Sequence, residues 1–431
     1  MQPPPVRSWT TTRVLLRGLF ALLLAVTLYV LSEACSYLTF AYIFRERFSF
    51  AAMQDERDAQ IGRNPFAPLR SSPQPEVIHP YLGYVQNPDA PTSARDLPAN
   101  RFGLLGASDP IYKRAERRVI VGILGGSFSQ SFCRHGASRL IEALQASPRF
   151  AGKEIVIVPL ALHGYKQPQQ LMLLNYLLTL GAEFDIIINI DGFNEVALHY
   201  AENAQQNVFP AFPRSWYLRV EPLPDPGSRA LIGEIAYLKD KQIRWSQRFP
   251  AAALHYSVTA NLIWRLGARR FAAKMDQLQR LLASHRPPPP GYEVTGPREE
   301  RSEGDTYGLL ASIWKNASLQ LAKLSQANGI SYFQFLQPNQ YDPGAKPLSE
   351  TELHTAYDPS HPYRAGVLAG YPLLRQYGSD LRAHGVAFWD LSGMFADVRD
   401  TIYIDSCCHI NDKGNAMLAD RVAAAISSAP R

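Results

Sequence analysis

The stretch "VIVGILGGSFSQSF", Val119 to Phe132, decides the fold. Its first half, Val119 to Leu124, is short, apolar and rich in β-branched residues, the composition of a strand buried on both faces. It stops at Gly125 and Gly126. Ser127 then opens a segment in which Phe132, Leu140, Ile141 and Leu144 follow helical spacing. A strand turning sharply into a helix is the repeating unit of a parallel sheet. Ser127 stands at the junction, where a helix cap, a phosphate loop and a nucleophile are all chemically sensible.

The unit recurs. "EIVIVPLAL" (154–162) and "FDIIINIDG" (184–192) read as buried strands, with "QPQQLMLLNYLLTLGAE" (167–183) as the helix between them. After residue 306 the pattern returns: a helix over 309–328, the strand "ISYFQFLQ" (330–337), a helix near 361–384, the strand "VAFWDLS" (386–392) and a closing helix over 415–429. This alternation predicts an α/β domain, a mainly parallel sheet between helices on both faces. Residues 205–305 break the pattern. Two long amphipathic stretches, 230–249 and 254–283, read as a largely helical insertion, and the Pro- and charge-rich 284–305 reads as disordered.

The N-terminus is of another kind. From Val14 to Phe44 the chain is apolar except for Arg17 and Glu33, which exceeds the ~20 residues a spanning helix needs. Arg7 and Arg13 precede it with no acid, whereas Arg45 to Asp58 mixes three Arg with four acids. The positive-inside rule then puts the N-terminus in the cytosol and the bulk outside the cytoplasmic membrane, in the periplasm or an equivalent extracytoplasmic space. The run is too long for a signal peptide and lacks a small-x-small cleavage site. The expected organisation is a cytosolic tail (1–12), a transmembrane signal-anchor (13–44), a stalk and lead-in (45–115) and a catalytic domain (116–431) carrying the 205–305 insertion. Proline-rich "RNPFAPLRSSPQPEV" (63–77) typifies the stalk.

Composition narrows the partners. The 431 residues carry a net charge of +6, yet no Lys/Arg block or aromatic-interleaved basic stripe suggests nucleic acid. No cofactor motif is present: there is no G-x-x-x-x-G-K-[ST], and "GILGGS" is not G-x-G-x-x-G. "GGSFS" lacks the last glycine of G-x-S-x-G, which argues against the usual α/β-hydrolase elbow. No His/Cys/Asp cluster has metal-ligand spacing, and His163 and His199 read as structural.

In open α/β sheets function gathers beyond the carboxyl ends of the strands. Four such loops hold Gly126-Ser127, Gly164, Asn194, and Asp405 with His409. This set suits acyl transfer. A serine hydroxyl needs a base to take its proton. Imidazole does so at neutral pH, a carboxylate fixes the imidazole tautomer, and backbone and amide N–H groups stabilise the oxyanion. Each piece alone also has a plain reading as a cap, turn or surface residue.

Together the blocks resemble the SGNH (GDSL-type) hydrolase superfamily. "GGS" (125–127) is similar to its first block, G-D-S; Gly164 to the glycine of its second; "GFNE" (192–195) to its third, G-x-N-D; and "DSCCH" (405–409) to its fifth, D-x-x-H. The resemblance implies a three-layer α/β/α, flavodoxin-like fold, a Ser127–His409–Asp405 triad, and an oxyanion hole from Ser127, Gly164 and Asn194. Gly126 replaces the usual Asp, and Glu195 the usual third-block Asp. Asp405 to His409 is one residue longer than the pattern, so either the loop bulges and Asp405 serves, or another group such as a backbone carbonyl orients His409. The resemblance also places Cys133 near Cys407 and Cys408, which implies a disulfide between Cys133 and one of them. The expected function is a membrane-anchored serine esterase acting on O-acyl, chiefly O-acetyl, groups of an envelope glycan or lipid. The alternatives are an O-acyltransferase with the same site, and an inactive glycan-binding scaffold that meets an envelope protein through 205–305.

Overall fold

The computed structural model describes residues 9–62, 75–90, 98–106, 108–220, 225–249, 254–285, 291–297 and 302–429. In chain order the main elements are α1 (Trp9–Leu38), α2 (Phe50–Gly62), β1 (Glu76–His79), β2 (Gly83–Gln86), β3 (Arg118–Gly125), α3 (Ser127–His135), α4 (Ala137–Gln145), β4 (Glu154–Pro159), α5 (Gln169–Thr179), β5 (Ile186–Asp191) and α6 (Phe193–Leu198). There follow α7 (Pro226–Arg248), α8 (Val258–Ser284), α9 (Glu303–Ala327), β6 (Ser331–Leu336), α10 (Glu350–Thr355), α11 (Pro362–Ala383), β7 (Ala387–Asp390) and α12 (Asp412–Ser428). They fall into two compact units, Met1–Ser71 with Leu223–Pro288, and Ser72–Pro222 with Pro289–Arg431.

The second unit holds a five-stranded sheet in the order β4-β3-β5-β6-β7. Every pairing is parallel. The near-continuous apolar character of β3 and β5 has its physical cause here: both are central, and all six residues of β5 are buried. The chain runs from β3 outward to β4, then returns to the other side of β3 to form β5. That reversal makes the β3/β5 boundary the topological switch point of the sheet. The register sets Gly125 beside Ile190, so the loops leaving β3 and β5 start side by side. Helices α3, α4 and α12 pack with one another, and α5, α6, α9 and α11 form a second packed group.

The lead-in is not a plain stalk. β1 and β2 make an antiparallel hairpin separate from the main sheet. Leu82, Tyr84, Val85, Leu104 and Leu105 belong to the core of the second unit.

The first unit joins sequence-distant helices. Residues 13–43 form a helix long and apolar enough to cross a membrane. Near its end Glu33 accepts hydrogen bonds from Ser257 Oγ and from the Val258 and Thr259 amides, capping α8. Phe40, Met53, Phe249, Trp264 and Ala268 form a small core beside it. Arg57 is buried there, donating to Asn261 Oδ1 at 2.6 Å, with its guanidinium over the rings of Phe249 and Trp264. The expected helical insertion is thus divided. Its long helices α7 and α8 pack with the N-terminal segment, while residues up to Val220 belong to the sheet-bearing unit. Of the segment expected to be disordered, 286–290 and 298–301 lie outside the described residues, and Tyr292–Thr295 forms a helical turn.

Candidate active site

Ser127 is the first residue of α3. The N-cap is Gly126, and among the described residues no side chain caps the helix, so its first N–H groups lack the usual side-chain acceptor. This answers the plain reading of Ser127 as a cap. A Cβ on Gly126 would overlap the Asn194 amide nitrogen, which explains why no larger residue stands there: Asn194 occupies the space. Asn194 Nδ2 donates to the Tyr165 carbonyl at 2.7 Å, and a primary amide keeps a second N–H for another acceptor. The first, second and third sequence blocks therefore meet at one point.

Glu195 locks that meeting. Its buried carboxylate accepts the Gly192 amide at 2.8 Å and the Gln167 amide at 2.9 Å, tying the third loop to the second. Burial raises its pKa. Glutamate reaches across both loops, so the exchange for Asp carries a structural role.

Gly164 has φ of +72°, a left-handed conformation that costs little only for glycine. A Cβ there would also strike the Arg214 side chain. Arg214 grips Glu202 through Nε at 2.9 Å and through Nη2, and its Nη1 lies 2.6 Å from His163 Nε2. Tyr363 Oη donates to the same carboxylate. Tyr84 Oη fixes the His163 carbonyl at 2.5 Å, giving the β1–β2 hairpin a purpose. His163 is held below its ordinary pKa by burial and by Arg214, and it feels the charge of His409. His199 Nδ1 is buried without a partner among the described residues, and burial with Lys166 nearby keeps the ring neutral, its pKa at about 4.

The fifth block resolves its own irregular spacing. Asp405 Oδ2 lies 2.5 Å from His409 Nδ1. Its other oxygen accepts three consecutive amides, those of Cys407 (3.0 Å), Cys408 (3.1 Å) and His409 (3.2 Å). The extra residue lets the backbone wrap around the carboxylate. Burial alone would raise the pKa of Asp405. The His409 hydrogen bond and charge, with these amides, outweigh it and hold the acid at about 2. His409 is the mirror case: burial would lower it, and Asp405 raises it above its usual value. An ionised carboxylate only accepts, so Nδ1 carries the proton and Nε2 is the basic nitrogen.

Sequence reading passed over the residues that hold this loop. Gln340 Nε2, Tyr341 Oη and Asn339 Nδ2 donate to the carbonyls of Asp405 (2.9 Å), Ser406 (2.8 Å) and Cys407 (3.1 Å) in turn. Upstream, Glu352 Oε1 accepts the Ile402 and Tyr403 amides, each at 2.9 Å. Its Oε2 pairs with Lys346 at 2.7 Å, both side chains 0% exposed. The signal was present: "QPNQYD" (337–342) follows the strand β6, at the same sheet edge as the other loops.

Among the described residues the structure joins Asp405 to His409, and Gly126 to Asn194. It does not join Ser127 Oγ to His409 by a hydrogen bond; such bonds are often long until substrate is present. All four cysteines are free thiols, so the expected pairing of Cys133 with Cys407 or Cys408 is not formed. The sulfurs that approach are those of Cys407 and Cys408, 3.4 Å apart. Although the sequence has no metal-type spacing, folding brings donor atoms of Cys407, Cys408 and His409 within 4.8 Å of one another.

Among solved structures the chain is similar to a GDSL-like lipase from Bacteroides thetaiotaomicron VPI-5482, with a TM-score of 0.34 and 10% identity over 74% of this chain and 93% of that chain. No family model matches the sequence. No curated protein matches it.

Proposed function

We propose that the chain is a membrane-anchored serine esterase of the SGNH type, its sheet between two helix layers. The observation that carries the reading is the Asp405–His409 pair, which leaves Nε2 as the free base on the sheet edge that also carries Ser127 and Asn194. In this reading His409 takes the proton of Ser127, and Oγ attacks an ester carbonyl. The α3 N–H groups, the Gly164 N–H and the spare Asn194 N–H hold the oxyanion. His409 then protonates the leaving alcohol, and water releases the acyl group. The N-terminal arginines support an orientation with this unit outside the membrane, which favours O-acylated envelope glycans or lipids as substrates. Transfer to an acceptor alcohol in place of water would use the same groups.

The test compares wild type with Ser127→Ala on a short-chain aryl ester and on O-acetylated glycan, with fluorophosphonate labelling alongside. Wild type should be labelled at Ser127, and the variant should lose labelling and roughly 10³-fold or more of turnover. Equal turnover by both proteins, or an unlabelled wild type, rejects the site.

A further inference from the structure

We infer that Cys407 and Cys408 form a redox modification site, closing to a disulfide between adjacent residues that releases Asp405 from its grip on His409. The inference builds on the esterase reading of the same loop and adds its regulation. Three observations carry it. First, the sulfurs are already 3.4 Å apart, so closure to the ~2.05 Å of a disulfide moves each by well under an ångström. Second, the two thiols differ in the way exchange chemistry needs. Cys407 is half-buried, and its pKa is lowered by the Cys408 contact, with His409 and Arg214 adding positive charge. Cys408 is 1% exposed, and burial keeps it protonated. Cys407 is thus the attacking thiolate and Cys408 the resolving thiol. Cys133, buried on α3 and pushed by burial up to about 12, takes no part.

Third, the peptide unit between the two cysteines is held from both sides. Its carbonyl accepts from Asn339, and its N–H, that of Cys408, donates to Asp405 Oδ1. Ordinary disulfides span Cα atoms about 4.4–6.8 Å apart, whereas neighbouring residues sit at about 3.8 Å. Closing the ring must therefore twist this peptide plane and pull its N–H from the carboxylate that orients His409. A strained disulfide is also easily reduced, which makes the change reversible.

The oxidant is a disulfide, small or protein-borne. Cys407 S⁻ attacks one of its sulfurs, forming a mixed disulfide and expelling one thiolate. Cys408 loses its proton to solvent and attacks Cys407 Sγ, expelling the second. The chain loses two protons and two electrons, and the oxidant takes them up to become two thiols.

The full chain in detergent, with a chelator present, is incubated with oxidised glutathione and then with dithiothreitol. The tryptic peptide Asp400–Lys413 contains only these two cysteines. It should lose two hydrogens, regain them on reduction, and stay unchanged in Cys407→Ser; Cys133→Ala should behave as wild type. Amide exchange over 405–409 should quicken on oxidation, and ester turnover should fall about 10²-fold, the cost of a misplaced base by roughly an ångström. Both thiols still alkylatable, or a lasting glutathione adduct on Cys407, overturns the site. A disulfide that leaves exchange over 405–409 unchanged overturns its coupling to Asp405. Mass and exchange need no turnover, so a chain that closes the disulfide but cleaves no ester sinks only the esterase reading.

Discussion

The two halves of the candidate site are built by different means. On the Ser127 side, position comes from the backbone: the switch point of the sheet, an uncapped helix start, and glycines whose missing Cβ admits Asn194 and Arg214. On the His409 side, position comes from side chains. Asp405 gathers three amides, Asn339, Gln340 and Tyr341 hold three carbonyls, and buried Glu352 fixes two more amides upstream. A parallel sheet fixes its strand ends cheaply, because every buried residue of β3 and β5 contributes. A loop outside the sheet has no such support and needs a polar clamp whose parts are each replaceable. The first half should therefore break at few positions and abruptly, and the second at many and by degrees.

The largest break should come where the clamp meets the chemistry. Asp405→Asn removes the charge that sets the His409 tautomer, and turnover should fall by about 10⁴-fold with the fold kept. The pH profile carries the sign. In the proposed mechanism neutral imidazole is the base, and Asp405 raises the His409 pKa, so kcat/KM of wild type should fall as pH drops through a midpoint above 6.5. In Asp405→Asn the acid limb should move to lower pH. A variant with near-wild-type turnover and an unmoved limb would show that another group orients His409. The pair also bears on stability: a raised histidine pKa stabilises below the unfolded value, and that part is lost as pH rises through the folded one.

Glu352→Ala tests the upstream part. It strands Lys346 as a buried charge and frees two amides, for an expected loss of about 3–5 kcal/mol, read by denaturant unfolding. A loss below about 1 kcal/mol would mean that the loop stands without the clamp.

The contrast also explains what the sequence disclosed. Strands announce themselves by runs of buried β-branched residues, and the glycine junctions follow, so the sheet and the loops that carry Ser127, Gly164 and Asn194 were legible. The Asp405 wrap was legible only as an anomaly of spacing, because its cause is a turn that closes in three dimensions. Asn339 to Tyr341 lie some 65 residues from the carbonyls they hold and have no periodicity. The alliance of α7 and α8 with the N-terminal segment was hidden for the same reason: contacts such as Ser257 with Glu33 span 224 residues. Cys133 shows the opposite error, an inference from neighbouring elements that the side-chain positions do not support.

Asn194→Ala probes the backbone-built half. In the proposed mechanism it removes one oxyanion donor, and it should then cost about 10²–10³-fold in kcat with little change in KM. Gly126→Ala should reproduce much of that loss by displacing the same amide, since its Cβ would overlap Nδ2. Additive losses in the double variant would break the link, because two changes acting on one group should not add.

The smallest effect should come from Tyr341→Phe. The hydroxyl donates to the Ser406 carbonyl at 2.8 Å and receives the Asp358 amide at 3.4 Å, so its removal should cost about 1 kcal/mol of stability. Its neighbours still hold Asp405 and Cys407. The His409 limb of the pH profile should therefore stay in place while kcat falls only severalfold. Adding Asn339→Ala should move that limb, because two of the three carbonyls are then free and the Asp405 wrap can open. A limb that shifts fully in Tyr341→Phe alone would make the clamp a single point, as abrupt as the Ser127 side.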